Sequence, residues 1–439
     1  MRKFIPTCAI GLLFSTAAFS QDIVPQELAQ LPNLETTPIP AEPPAESAPL
    51  PVAAPTTPEE AATLESQMYQ DSSAEADTRT PDQTAGKRKP WKLTLRGEIN
   101  AMFDDNIFIS PDDRESDFVF TLSPGATLGL GDFEEKQENF LILDYTLSGI
   151  LFADHTSEDA IEHRAGVVGQ WHFSRLAIGA EFRFQDLSGD NIDVGDRTNR
   201  RIYETTVRAK YELDEKTYIE SDVQYRVSDY ETHLDSTEWQ AHAWLNYKWM
   251  PKATVGVGLS GGVLDVDLGG QQTYEQGLVR TTYSATEKLT FQADAGVEFR
   301  QADNSSDRVT PIFKLAATYL PFEATSIQLS AYRRVDSSAL LAGQDFTITG
   351  ASLQIRRNIW TRFDAAFAGG YEHADYHRAE GAGNVTRRDD YFFIRPSVSF
   401  SVTPAARIEL YYQYRRNDST IDASSFYNNQ SGIQVGFSF

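Results

Sequence analysis

Leu289-Thr290-Phe291-Gln292-Ala293-Asp294-Ala295-Gly296-Val297-Glu298-Phe299-Arg300 alternates apolar and polar residues over its whole length. In an extended chain successive side chains point to opposite faces. Leu289, Phe291, Ala293, Ala295, Val297 and Phe299 therefore share one face, and Thr290, Gln292, Asp294, Glu298 and Arg300 share the other. Thr217–Arg226 repeats the pattern. Ile219, Val223 and Tyr225 alternate with Glu220, Asp222, Gln224 and Arg226, with Ser221 the weak member of the apolar row. Such a segment has one greasy face and one wet, ionic face.

Eighteen segments of this kind recur, over 91–102, 117–129, 138–151, 161–172, 176–187, 200–212, 217–229, 238–249, 253–265, 272–284, 288–301, 309–320, 324–335, 345–357, 361–374, 389–402, 406–417 and 427–439. Their connections alternate in length. Ser174-Arg175, Pro251-Lys252 and Thr403-Pro404-Ala405 are tight, while Ser188–Asn199 and Asp375–Arg388 read as longer polar loops. An up-and-down barrel in an outer membrane needs that alternation, with short periplasmic turns and longer outer loops. An even strand number brings both ends of the barrel to the short-turn side. A propeller or β-sandwich is the soluble alternative. Charged rows on most segments speak against it, and no motif of about 40 residues recurs. The expected fold is all-β: a transmembrane antiparallel barrel of about 18 strands (16–18) over residues 91–439.

The 439-residue chain carries 39 Lys+Arg against 63 Asp+Glu, a net charge of −24. A general nucleic-acid binder needs a basic face, so that class is excluded. Residues 1–20 read as a secretory signal peptide, with Arg2 and Lys3, an apolar stretch, then Ala18 and Ser20 before Gln21. The single Cys8 lies inside it, which leaves the mature chain without disulfide or thiolate chemistry. Residues 21–90 hold 12 of the 20 prolines, with 12 acids and 4 bases. Runs such as Pro38-Ile39-Pro40 favour extended, solvated backbone. This segment is expected to be a disordered, Pro-rich, acidic linker in the periplasm, with a periplasmic partner as a candidate ligand.

The last strand alternates Ile433, Val435, Phe437 and Phe439 with Gln434, Gly436 and Ser438. It is similar to the C-terminal signal that outer-membrane proteins present to the barrel assembly machinery, with Phe437 and Phe439 as the recognised residues. Trp91, Trp171, Trp249, Trp360, Tyr391, Phe392 and Phe393 lie near segment ends, where aromatic girdles are expected. After the first segment the chain reads Phe103-Asp104-Asp105-Asn106-Ile107-Phe108, followed by Ser123-Pro124-Gly125 and a Gly131-Asp132 turn. On these residues and the terminal Phe439, the region 91–439 resembles the β-barrel porin type 2 family of Gram-negative bacteria. The resemblance implies an outer-membrane location and a pore, with exopolysaccharide export in some members. It transfers no catalytic residue.

No constellation predicts catalysis. Gly258-Leu259-Ser260-Gly261-Gly262 matches Gly-x-Ser-x-Gly but lies within an alternating strand, with no helix to form a nucleophile elbow. His172-x-Ser174 puts a base and a hydroxyl on one face without an orienting third residue. Glu372-His373 and His377 have a spacing that suits a helix, not a strand, so no metal is expected there. Asp104-Asp105, Asp112-Asp113 and Asp190-Asn191-x-Asp193-x-x-Asp196 lack the closing Glu of a calcium loop and read as solvated outer loops. No cofactor is implied.

The polar rows carry the functional expectation. By parity Glu181, Arg183, Arg208, Glu220, Asp222, Arg226, Asp294, Glu298, Arg300, Arg407, Glu409 and Arg415 face the interior and line a pore. Asp144, Glu204, Lys210 and Arg395 join them. Both signs of charge on one wall fit a hydrated interior. Trp244, Tyr332 and Tyr411 also face inward and offer a sugar-stacking track. The expected function is a passive porin-like channel for small or saccharide solutes. The competing expectation is a non-conducting barrel that anchors the linker to envelope-assembly or polysaccharide-export partners. Outer-membrane lipid and lipopolysaccharide are the expected surroundings.

Overall fold

The computed structural model describes residues 90–439 except 135, 137, 303–304, 323 and 378–385. The signal-peptide and linker assignments lie outside the described residues. The chain forms β1 (Trp91–Asp104), β2 (Asp117–Gly131), β3 (Phe140–Phe152), β4 (Ala160–His172), β5 (Leu176–Asn191) and β6 (Asp196–Glu212). There follow β7 (Thr217–Tyr230), β8 (Ser236–Met250), β9 (Ala253–Val266), β10 (Gly270–Thr286), β11 (Leu289–Ala302) and β12 (Ser305–Phe322). The last six are β13 (Thr325–Ser337), β14 (Asp345–Trp360), β15 (Phe363–Tyr376), β16 (Arg388–Thr403), β17 (Ala406–Ser419) and β18 (Phe426–Ser438). Each strand pairs antiparallel with its sequence neighbours, and β1 pairs with β18, so the 18-stranded sheet closes into a barrel. No α-helix occurs among the described residues.

The register turns the period-two pattern into two walls. Phe291 and Val297 on β11 are exposed, whereas Glu298 and Arg300 on the same strand are only 1% and 4% exposed. Val257 and Leu259 on β9 point out and Ser260 points in. This is the reverse of a soluble protein, whose ionic residues cover the outside. An apolar exterior of this extent needs lipid to cover it.

Strands run from 13 residues in β3 to 18 in β12, beyond the roughly 9–11 that a tilted strand needs to cross a bilayer. The surplus replaces loop. Ser188–Asn199, expected as a long loop, is mostly strand: β5 and β6 stay paired from Leu187↔Arg200 to Asn191↔Asp196, and only residues 192–195 turn. Backbone pairing does not depend on side-chain polarity, so this polar sequence continues the hairpin. Two-residue turns such as 251–252, 361–362 and 404–405 lie at the end where β1 begins.

The closing seam is held by the acidic element that ends β1 and follows it. Asp104 accepts hydrogen bonds from Gln430 and Asn428 side chains on β18. Asp105 accepts from the Asn429 amide at 2.7 Å and its side chain at 2.8 Å. Asn106 donates to the Tyr427 carbonyl at 3.0 Å. At the other end, Phe439 and Leu95 exchange backbone hydrogen bonds. Charge-assisted bonds of this kind are the stronger ones, and here they join the first strand to the last.

Inside, rings lie on glycines directly opposite them in register. Tyr274 covers Gly262, Trp244 covers Gly258, Tyr332 covers Gly350, Tyr411 covers Gly432 and Phe393 covers Gly370. A Cβ at Gly350 would collide with the Tyr332 ring, whereas Gly277 on the outer wall has nothing within 4 Å. Gly350→Val is therefore expected to cost about 1–3 kcal/mol. The measurement is the urea midpoint of the folded, heat-modifiable band on gels. Gly277→Val is expected to leave that midpoint unchanged.

Candidate functional site

The lumen wall is a set of ion-pair groups. Glu181 receives Arg183 at 2.5 Å and Arg208 at 3.0 Å. Arg300 bonds Glu298 at 2.7 Å, and Arg395 bonds Glu409 at 3.2 Å. Glu220 pairs with Arg280, and Asp222 with His242. Asp294 sits in register between Arg280 and Lys314, and Arg226 between Glu204 and Glu238. Arg407 lies 3.6 Å from Asp364, and Arg415 bonds Asp190 at 2.7 Å. The structure thus places all twelve residues expected to line a pore on the inner face, in separate groups around the ring. Their partners from other strands depend on register, which one sequence does not disclose.

The inward rings are not a stacking track. Trp244, Tyr332 and Tyr411 have one face on glycine and the other under Arg280, Arg334 and Arg395, at 4.4, 5.1 and 4.4 Å from the ring centroids. Both faces are occupied. Tyr391 and Phe393, expected in a girdle, also point inward and are buried, whereas Trp91, Trp171, Trp249, Trp360 and Phe392 are exposed on the outside. Parity within β16 separates Phe392 from its two neighbours.

Tyr391 and Phe393 receive loop residues. Ile109 from the β1–β2 connection and Ile192 from the β5–β6 tip pack with them, with Ala368 and with Phe426. The tip is pinned from across the ring. Asp193 accepts hydrogen bonds from Ser338 and the Ala339 amide of the β13–β14 connection, at 3.0 and 2.7 Å, and from Tyr376 on β15 at 2.8 Å. Arg387 donates to the Ile192 carbonyl at 3.0 Å and to the Asp193 carbonyl, while pairing with Asp389. With β5 and β14 nine strands apart in the closed ring, the β5–β6 hairpin reaches from one side of the mouth to the other. Asp190 and Asp193, expected as solvated loop acids, are instead committed to Arg415, Arg387 and their neighbours.

The remaining candidates fall apart in space. Glu372 faces inward to Tyr332, His373 outward to Asp390 and Asp375, and His377 meets Thr347. His172 contacts Gln170. Among the described residues no three His, Cys, Asp or Glu side chains are arranged to hold a metal. His155, in the β3–β4 connection, bridges Asp117 and Glu115, and their hydrogen bonds raise its pKa above 6.5. A raised histidine stabilises its partners' arrangement below its ordinary pKa and releases that contribution as pH rises through the raised value. Amide-exchange protection of residues 153–159 is thus expected to fall as pH rises above the ordinary histidine range, and to lose this dependence in His155→Gln.

No family model matches the chain, and no curated protein matches it in sequence. Solved structures with similarity to it include OpdQ of Pseudomonas aeruginosa, at 10% identity and TM-score 0.45 over 80% of this chain and 97% of that one. OccAB4 of Acinetobacter baumannii has 8% identity and TM-score 0.43, covering 79% and 98%. The outer membrane protein OpdK of Pseudomonas aeruginosa has 10% identity and TM-score 0.44, covering 79% and 99%.

Proposed function

We propose that this chain is a bacterial outer-membrane channel, passive and porin-like, for small or saccharide solutes. The observation that carries the reading is the inverted distribution of polarity on a closed ring of strands. Exposed Leu, Val and Phe rows suit lipid, and paired charges of both signs suit a hydrated passage. The β5–β6 hairpin narrows that passage at the outer mouth. Balanced ion pairs on the wall favour electroneutral solutes over one sign of ion.

In this reading residues 1–20 direct secretion, 21–90 extend into the periplasm, and the strand ending at Phe439 is read by the barrel assembly machinery. Deleting Phe439 is expected to lower the amount of heat-modifiable barrel in outer-membrane fractions. Equal amounts would refute the signal role.

Conductance tests the channel directly. Full-length protein in planar bilayers is expected to pass discrete ion currents; silence at all voltages would sink the reading. Arg387→Gln removes the charged donor that holds the hairpin tip. Charge-assisted bonds are worth about 1.5–3 kcal/mol, so open-state occupancy is expected to rise by about ten-fold or more. An unchanged current distribution would show that the tip does not set the passage.

A further inference from the structure

The Gly-x-Ser-x-Gly stretch of β9 finds its use on the lumen wall. From Thr254 to Gly262 the inward row of β9 runs Thr254, Gly256, Gly258, Ser260 and Gly262, with no side chain larger than threonine, before Leu264 and Val266 continue it. It forms a recess along one strand. Neighbours fill most of it: Asn246 and Arg280 at Gly256, the Trp244 ring at Gly258 and the Tyr274 ring at Gly262. Ser260 places a polar group between the two rings.

Register brings three buried polar residues to that stretch. Ser260 is directly opposite Gln276 on β10 and His242 on β8, and Gln240 is the next inward residue of β8. Ser260 is 1% exposed, and Gln240 and Gln276 are 4% exposed. Gln240 Nε2, Ser260 Oγ and Gln276 Oε1 have no hydrogen-bond partner. One is a donor, one is both, and one is an acceptor. Leaving such atoms unmet costs about 1–3 kcal/mol each, and in native interiors they are met by protein, ordered water or a ligand. The ionic groups around them are already engaged. Glu298 accepts from the other end of Gln276 at 2.7 Å and from Arg300, and Asp222 is held by His242. An anion would face Glu298, and a cation would meet no uncommitted carboxylate.

We propose that Gln240, Ser260 and Gln276 form a subsite on the lumen wall for a hydroxyl group of a neutral sugar or polyol. A hydroxyl both donates and accepts, which matches the amide oxygen, the amide nitrogen and the serine hydroxyl together. The rings bound the recess by their edges, since their faces are taken by glycine and arginine. Recognition therefore rests on hydrogen bonds rather than stacking, in surroundings where water does not compete. The assignment builds on the channel reading and names its solute class.

Full-length protein in planar bilayers, titrated with maltose and separately with gluconate, tests it. Maltose is expected to block the current, and gluconate to block it far less. Ser260→Ala is expected to raise the half-blocking maltose concentration about ten-fold, the effect of one lost buried hydrogen bond. Gln276→Leu is expected to act in the same direction. Ser330→Ala, four strands away on β13 beside Ser352, is expected to change nothing. Equal block of wild type and Ser260→Ala, or no block of a conducting barrel, would overturn the subsite and assign the recess to ordered water. Equilibrium dialysis of labelled maltose against detergent-solubilised protein separates the two claims. Saturable binding that weakens in Ser260→Ala sustains the subsite even where no current flows, and its absence removes it.

Discussion

A sheet in lipid has no water to satisfy its edges, so every backbone N–H and C=O must find a partner within the sheet. That requirement makes the contact between β1 and β18 the one on which the rest depends. Seventeen hairpins, however well formed, leave two open edges. The Asp104-Asp105-Asn106 element binds side chains and backbone of Tyr427–Gln430. These bonds sit above the last ladder pairs, Phe103↔Ser431 and Asp104↔Gln430. They extend the seam where strand pairing gives out. Carboxylates suit this place because the β18 Asn-Asn-Gln run supplies amide donors and no competing cation.

Closure also dictates the interior. With the apolar rows committed outward, everything polar on eighteen strands must share one enclosed wall. Unpaired charges there would be costly, and paired ones are tolerable only with good geometry. The strands meet this by alternating sign across register, as at Arg208↔Asp222, Glu204↔Arg226 and Arg280↔Asp294. Glycine opposite an inward ring serves the same economy of space. The ring lies flat, and an arginine then stacks on its outer face, so Tyr274, Trp244, Tyr332 and Tyr411 each hold a guanidinium in place.

The barrel was legible because its signal is local. Alternation over Leu289–Arg300 or Thr217–Arg226 assigns faces without knowledge of any neighbour, and strand number follows by repetition. The same parity correctly separates Phe392 from Tyr391 and Phe393, once proximity to a strand end is set aside. The reach of the β5–β6 hairpin was not legible. Ser188–Asn199 is polar and rich in Asp and Asn, which is what a solvated loop also looks like. Nothing local tells that Asp193 will meet Ser338, Tyr376 and Arg387, residues some 145 to 194 positions away. Nor does one sequence give inter-strand register, which decides that Ser260 stands between His242 and Gln276 and that the inward tyrosines find glycines.

The hairpin's attachment has a feature that bears on how it could move. Arg387 binds carbonyl oxygens of Ile192 and Asp193 rather than only the Asp193 side chain. Those carbonyls belong to a tight turn lifted away from its own ladder, so they would lack partners inside a narrow lumen. One buried arginine thus satisfies backbone groups, offsets Asp193 and Asp389, and stacks on Tyr376 at 4.6 Å. Ile192 beside it is held by apolar contact with Tyr391, Phe393 and Phe426. The two anchors differ in kind: one is ionic and directional, the other nonspecific and tolerant of sliding. Loss of the first leaves the tip seated through Ile192 and through the Asp193 bonds to Ser338, Ala339 and Tyr376, so its detachment would proceed in stages.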